Sequence, residues 1–169
     1  MSNSPNLLSK LDSSVLLMVF ELEHGFSIDG KSAQLGGAYD RELIVALRQW
    51  AQIIVTTVKT AEAEAYVQPK KPLVLLSRQG SGAEWLEASR LDWSQPSFED
   101  AIANKKVLYE TGLSSSRELI SLGFIRQVLI HHDKPEFHPE EHMKFGLDHI
   151  ATEPYYNRHI SLFQRRGRE

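Results

Sequence analysis

A chain of 169 residues is long enough to bury a substantial core and short for two domains, so one domain is expected. Its 19 Lys and Arg stand against 22 Asp and Glu, and the formal net charge of -3 supplies no general field for drawing in nucleic acid or an acidic membrane. There is no cysteine, which excludes disulfides, thiolate nucleophiles and cysteine-based zinc sites. The first residues lack the basic region of a secretory signal and no apolar run approaches the roughly 20 residues that span a bilayer, so a cytoplasmic protein is expected.

In chain order, residues 1–14 read as a flexible leader, 15–164 as a single domain and 165–169 as a short basic tail. Residues 15–23 are too continuously apolar for a surface strand and predict a central strand buried on both faces. A turn-rich loop over 24–37 then opens onto a helix over 38–50, with Tyr39, Leu43, Ile44, Leu47 and Trp50 forming its apolar stripe. Ile53–Val55 predicts a strand, 57–66 a short helix, and Leu73–Leu76, introduced by Pro72, a third strand. Residues 81–88 predict a helix and 89–91 a weak strand. Pro96–Asp100 opens another helix with Ser97 as its expected cap. A strand over 106–110, a helix over 114–122 ended by Gly123 and a strand over 125–131 follow. The last third changes character: 144–152 and 158–164 alternate in the manner of antiparallel strands joined through residues 153–157. This order predicts an α/β fold with a mostly parallel central sheet, a C-terminal antiparallel hairpin and helices on both faces.

Two segments, 25–31 and 108–114, lie where an apolar strand runs out into small and acidic residues, at the edge where open α/β sheets bind ligands. Gly112 and Ser114–Ser116 stand between a strand and a helix, an arrangement that offers backbone N–H groups to a phosphate and equally suits plain capping. Glu110 at the strand end is placed to bond a polar ligand group, while Ser27 and Asp29 precede Gly30 as a polar pair or an ordinary turn. His138-Pro139-Glu140-Glu141-His142 fits an H-x-x-E-H zinc spacing. Pro139 favours the first helical position, however, which leaves His138 outside the helix and off the shared face, so no metal is expected. His131, His132 and Asp133 read as a polar strand end. No serine-hydrolase elbow, dinucleotide glycine fingerprint or phosphate loop of the Walker type occurs.

Taken in succession, Phe26-Ser27-Ile28-Asp29-Gly30-Lys31, Asp40-Arg41 leading to Leu47-Arg48, residues 51–66 with Thr60 and Ala63-Glu64, Pro72 to Arg78, Val107-Leu108-Tyr109-Glu110-Thr111-Gly112 and Leu119 to Ile130 resemble the reductase domain of the riboflavin pathway. The likeness runs over about residues 15–164. It implies the three-layer dihydrofolate-reductase-like fold and an NADPH-dependent reductase of the pyrimidine or pteridine type. Such an enzyme delivers hydride to the ribose carbon of a small-molecule phosphoribosylamino-pyrimidine, and members of the family are homodimers. The same resemblance implies Asp29 and Glu64 as catalytic residues and Arg41 as a substrate contact. It implies Ser27, Thr57, Lys59, Thr60, Glu110, Thr111, Gly112 and Ser114 around NADPH. Lys59 stands where relatives carry a small residue, and Thr111 stands where they carry a glycine free to take positive φ. Those two positions support a second reading, a non-catalytic relative with an eroded cofactor cleft that binds another ligand or serves assembly.

Overall fold

The computed structural model describes residues 5–27, 31–32, 35–134, 138 and 146–167. Asp29 and residues 139–142 of the histidine motif lie outside the described residues. The apolar run near the start forms β1 (Ser14–Phe20). It is buried because it lies in the middle of the sheet, parallel to β5 (Val107–Glu110) on one side and β6 (Gln127–His132) on the other. Beyond β5 come β2 (Ile53–Thr57), β3 (Leu73–Leu76) and the short β4 (Ser89–Leu91), all parallel. Beyond β6 come β8 (Arg158–Arg165) and β7 (Leu147–Tyr155), both antiparallel to their neighbours and joined by a tight turn at Tyr156-Asn157. The strand order is therefore β4-β3-β2-β5-β1-β6-β8-β7.

Right-handed crossovers dictate the layers. The chain crosses the sheet in one direction through α1 (Gly37–Trp50) and α2 (Val58–Ala63), and in the other through α3 (Pro96–Ile102) and α4 (Leu113–Ser121). The two pairs of helices thus lie on opposite faces. Leu43, Leu47 and Ala61 pack with Val15, Ile54, Leu75, Leu108 and Leu129 on one side. Phe98, Leu119 and Ile120 pack with Leu16, Val55, Val74, Tyr109 and Val128 on the other. Neighbouring residues along each strand feed opposite cores, as the period of two requires.

Three expectations are corrected. The leader is anchored where it is described: Asn6–Lys10 forms a 3-10 turn, Leu7 is buried in the core, and the Gln127 side chain bridges Asp12 N at 2.7 Å and Lys10 O at 3.2 Å. Residues 81–88 are not helical. Gly82 (φ +101) and Ala83 (φ 50) take left-handed backbone, which breaks helical propagation, and Arg90 binds both of their carbonyls. The cap of α3 is Gln95 rather than Ser97, because Pro96 takes the first helical position. No helix among the described residues is long and apolar enough to cross a membrane.

Candidate functional site

The chain leaves β5 toward α4 on one face, while the flanking strands β1 and β2 leave toward α1 and α2 on the other. The carboxyl tip of β5 is therefore the switch point of the sheet, the position at which open sheets take ligands. Two helix starts meet there. Gly112 is the N-cap of α4, and a Cβ on it would stand 3.7 Å from Thr60 Oγ1 in the first turn of α2. Thr57 caps α2: its Oγ1 accepts from Thr60 N at 3.0 Å and lies 2.9 Å from Thr60 Oγ1. Thr57→Ala should cost about 1 kcal/mol of stability and Thr57→Ser should recover most of it. Chemical denaturation checks this, and equal loss in both variants would mean that the hydroxyl is not the stabilising group.

The first turn of α4 has no side-chain cap, since Gly112 carries none. Its helical bonding starts with Ser116 N to Gly112 O at 2.9 Å. Ser116 is turned inward, with its Oγ 2.7 Å from Thr111 Oγ1 and 3.1 Å from Thr111 O, while Ser114 is exposed. Gly112 itself has φ -68 and ψ 167, and Thr111 is not among the positive-φ residues. The turn thus needs no left-handed residue, and the expectation that a β-branched Thr111 would distort it is corrected.

Glu110 is engaged within the protein. Arg48 Nε and NH2 donate to its two oxygens at 2.9 and 3.0 Å, the Tyr66 hydroxyl donates to Oε2 at 2.8 Å, and the guanidinium lies 4.9 Å from the Tyr66 ring centre. Burial would lower the Arg48 pKa, but the hydrogen bond and charge of Glu110 outweigh it and hold the guanidinium above its ordinary value. Burial, and then the Glu110 charge, push the Tyr66 phenol up, so it stays a donor. Thr56 Oγ1 donates to the Glu110 carbonyl at 2.6 Å, which pins the tips of β2 and β5 together. The sequence suggested a ligand contact at Glu110; in the structure its carboxylate bonds Arg48 and Tyr66 and its carbonyl bonds Thr56, so the residue ties the β5 tip to α1 and β2.

The remaining candidates are spread along the same edge. Lys59 is exposed on the first turn of α2. Glu64, at the C-cap of α2, accepts from Ser32 N at 2.6 Å and Ser32 Oγ at 3.0 Å, so it ties the loop after β1 to this helix. Ser27 is exposed just past Phe26, whose ring packs edge-on to Phe20 at 5.1 Å. Arg41 is exposed on α1. The neighbouring Asp40 turns inward instead, with Oδ1 2.9 Å from Nδ1 of the fully buried His131 at the tip of β6. Asp40, His131 and the nearby pair Glu21 and Arg158 were not among the sequence candidates. Their one signal was two histidines closing an otherwise apolar strand. At the tip of β3, Arg78 lies exposed over the Trp93 ring at 4.8 Å, with Glu118 of α4 at 3.4 Å. No group of three or more metal-ligating side chains occurs among the described residues.

No family model and no curated protein matches the sequence. Solved structures do match the fold. A pyrimidine reductase-like protein from Corynebacterium diphtheriae superposes with a TM-score of 0.64 at 16% identity, over 95% of each chain. Dihydrofolate reductase from Enterococcus faecalis, solved with NADP(H), superposes with a TM-score of 0.62 at 13% identity, over 90% of this chain and 96% of that one. RibD of Acinetobacter baumannii superposes with a TM-score of 0.61 at 13% identity, over 89% of this chain and 57% of that longer one. Identities this low speak for the scaffold alone, and with the strand order and the C-terminal hairpin they show that the chain has the dihydrofolate-reductase-like fold.

Proposed function

We propose that this chain is an NADPH-dependent reductase of the pyrimidine or pteridine type. The observation that carries the reading is the meeting of Gly112 and Thr60 at the β5 tip. There an uncapped helix start and a capped one frame a crevice whose floor lacks a Cβ. The N–H groups of the first turn of α4 would hold the diphosphate, because they lack intrahelical partners and carry the positive end of the helix dipole. Ser114 and Lys59, both exposed beside it, would add a hydroxyl donor and a cation. Bound NADPH supplies the hydride, and the protein supplies position and electrostatics. The Arg48–Glu110–Tyr66 anchor serves the first of these by fixing the turn. The unstrained Thr111 removes one ground for an eroded cleft.

Gly112→Val tests the reading. At φ -68 a valine is allowed, and the 3.7 Å approach to Thr60 is an ordinary contact, so the variant should fold with stability within about 1 kcal/mol of wild type. Its branched side chain would occupy the diphosphate position, and calorimetric titration with NADPH should show binding in the wild type and none in the variant. Equal affinity in both proteins would remove this turn from the site.

A further inference from the structure

Strands β1, β2, β3, β5 and β6 enter the sheet at the edge opposite the Gly112 turn, and the antiparallel β8 leaves it there. Register sets cations side by side along this amino edge. Ile53 pairs with Val107 and Ile54 with Leu73, which brings Lys71 and Lys106 to one level. Ser14 pairs with Val107 and Val15 with Gln127, which puts Arg126 one residue further in. Arg165 N donates to Arg126 O at 2.7 Å, so β8 adds its own cation beside that one. From β3 to β8 the row crosses five strand intervals, roughly 24 Å at about 4.8 Å each. Lys70, Lys105 and Arg166 adjoin it in sequence and widen it.

Two of these cations serve helix ends. Lys71 Nζ donates to Gln49 O at 3.2 Å and Ala51 O at 2.7 Å behind α1, and Arg165 NH2 donates to Ser121 O at 3.2 Å in the last turn of α4. The others have no such use. Lys10, Lys70, Lys105 and Arg126 are exposed and pair with no carboxylate among the described residues, and Lys106, also exposed, stands 6.0 Å from the Trp50 ring centre. Arg166 pairs with Asp148 at 3.0 Å, but both side chains are more than half exposed, where such a pair is weak. Asp12 and Glu87 are the other carboxylates on the segments that adjoin this edge. The whole chain carries -3, so the rest of it is more negative still and the molecule has its positive pole here. Net charge alone conceals that segregation.

Exposed apolar side chains flank the row at both ends. Val67, 78% exposed, lies three residues before Lys70, and the exposed Trp85 is fixed next to it because its indole N–H donates to Tyr66 O at 2.8 Å. Leu122, 55% exposed, lies four residues before Arg126. Aliphatic groups add nothing to the recognition of a nucleic-acid backbone, whereas a lipid surface takes cations at its headgroups and leucine, valine and indole just beneath them. We propose that the amino edge of the sheet is a docking surface for an anionic lipid membrane, its cations meeting headgroup phosphates and Leu122, Val67 and Trp85 entering the interface. The proposal stands apart from the reductase reading: the Gly112 turn lies at the opposite edge, so membrane contact and cofactor binding do not compete.

The test is co-sedimentation of the intact protein with vesicles of phosphatidylcholine alone and of phosphatidylcholine mixed with phosphatidylglycerol. The mixed vesicles should carry the protein down at low salt and release it at about 1 M salt, where the Debye length shrinks to about 3 Å, and the plain vesicles should leave it in solution. The double variant Lys105→Gln, Arg126→Gln should bind the mixed vesicles about 25-fold more weakly, or about fivefold for each cation removed. Leu122→Ser should weaken that binding severalfold, and both proteins should keep the wild-type melting temperature because all three side chains are exposed. No binding to the mixed vesicles, equal binding to the two kinds, or full binding by either variant would overturn the proposal. Tighter binding of a single-stranded uridine oligonucleotide, unaffected by Leu122→Ser, would overturn it too and assign the edge to nucleic acid.

Discussion

Arg48→Met is expected to destabilise the protein by about 2–4 kcal/mol, far more than an ordinary surface substitution. Glu110 is 13% exposed in its side chain and Arg48 27%, so the pair is mostly withdrawn from water, and the methionine strands a carboxylate with the Tyr66 hydroxyl as its remaining side-chain donor. The cost comes from leaving the partner charge unmet rather than from the intrinsic worth of the pair. The double variant Arg48→Met, Glu110→Met should therefore recover much of the loss, since no buried charge remains. Urea denaturation of the two single variants and the double variant forms a complete cycle. A single Arg48→Met change within about 0.5 kcal/mol of wild type, the scale of an ordinary surface substitution, would show that Glu110 finds other solvation. Because the Arg48–Glu110 bonds tie the β5 tip to α1, the single variant should weaken NADPH binding along with stability.

Acid should destabilise the protein through His132. Its ring is fully buried; Nδ1 lies 2.6 Å from the Lys134 carbonyl, which only accepts, so Nδ1 donates and Nε2 accepts from the Ser161 hydroxyl at 2.7 Å. Burial pushes its pKa down to about 4. The Lys134 carbonyl opposes that shift, and His159, stacked at 5.7 Å, and His131 add to it. Below pH 6.5 the unfolded chain takes up a proton that the native imidazole refuses until about pH 4, so stability rises with pH across that window and is lost on acidification. The loss amounts to about 3 kcal/mol by pH 4 and levels off below, where both states are protonated. Denaturation midpoints measured from pH 7 to 4 should fall more steeply in wild type than in His132→Asn, which keeps a donor for Lys134 and does not titrate. Parallel curves would assign the acid sensitivity to other groups.

Periodicity made the scaffold legible. The runs at 15–20, 73–76 and 107–110 are apolar on both faces because they lie inside a parallel sheet, and the alternation in the last third belongs to the edge strand β7, while β8 beside it is buried through Ile160–Phe163. The stretch 81–88 misled because Ala83, Glu84, Leu86, Glu87 and Ala88 favour helix, whereas the fold needs left-handed backbone at Gly82 and Ala83 to pass over α2. The Gly112 turn was legible from a glycine set between a strand and a serine-rich helix start. The role of Glu110 was not, because its partners Arg48 and Tyr66 lie 62 and 44 residues away along the chain. The pairing of Asp40 with His131, 91 residues apart, was hidden in the same way, since only the β1–β6 neighbour relation brings α1 over the β6 tip. Local pattern specifies elements, and charge pairing across the sheet follows from topology.

Amide-resolved NMR of the labelled protein titrated with NADPH bears most directly on the crevice at the β5 tip. Saturable shifts should appear first at Thr60 and at Leu113, Ser114 and Ser115, where two helix starts meet over Gly112, and the Gly112→Val variant should show none. Shifts confined to other parts of the molecule, or an unchanged spectrum at millimolar NADPH, would contradict a cofactor site there.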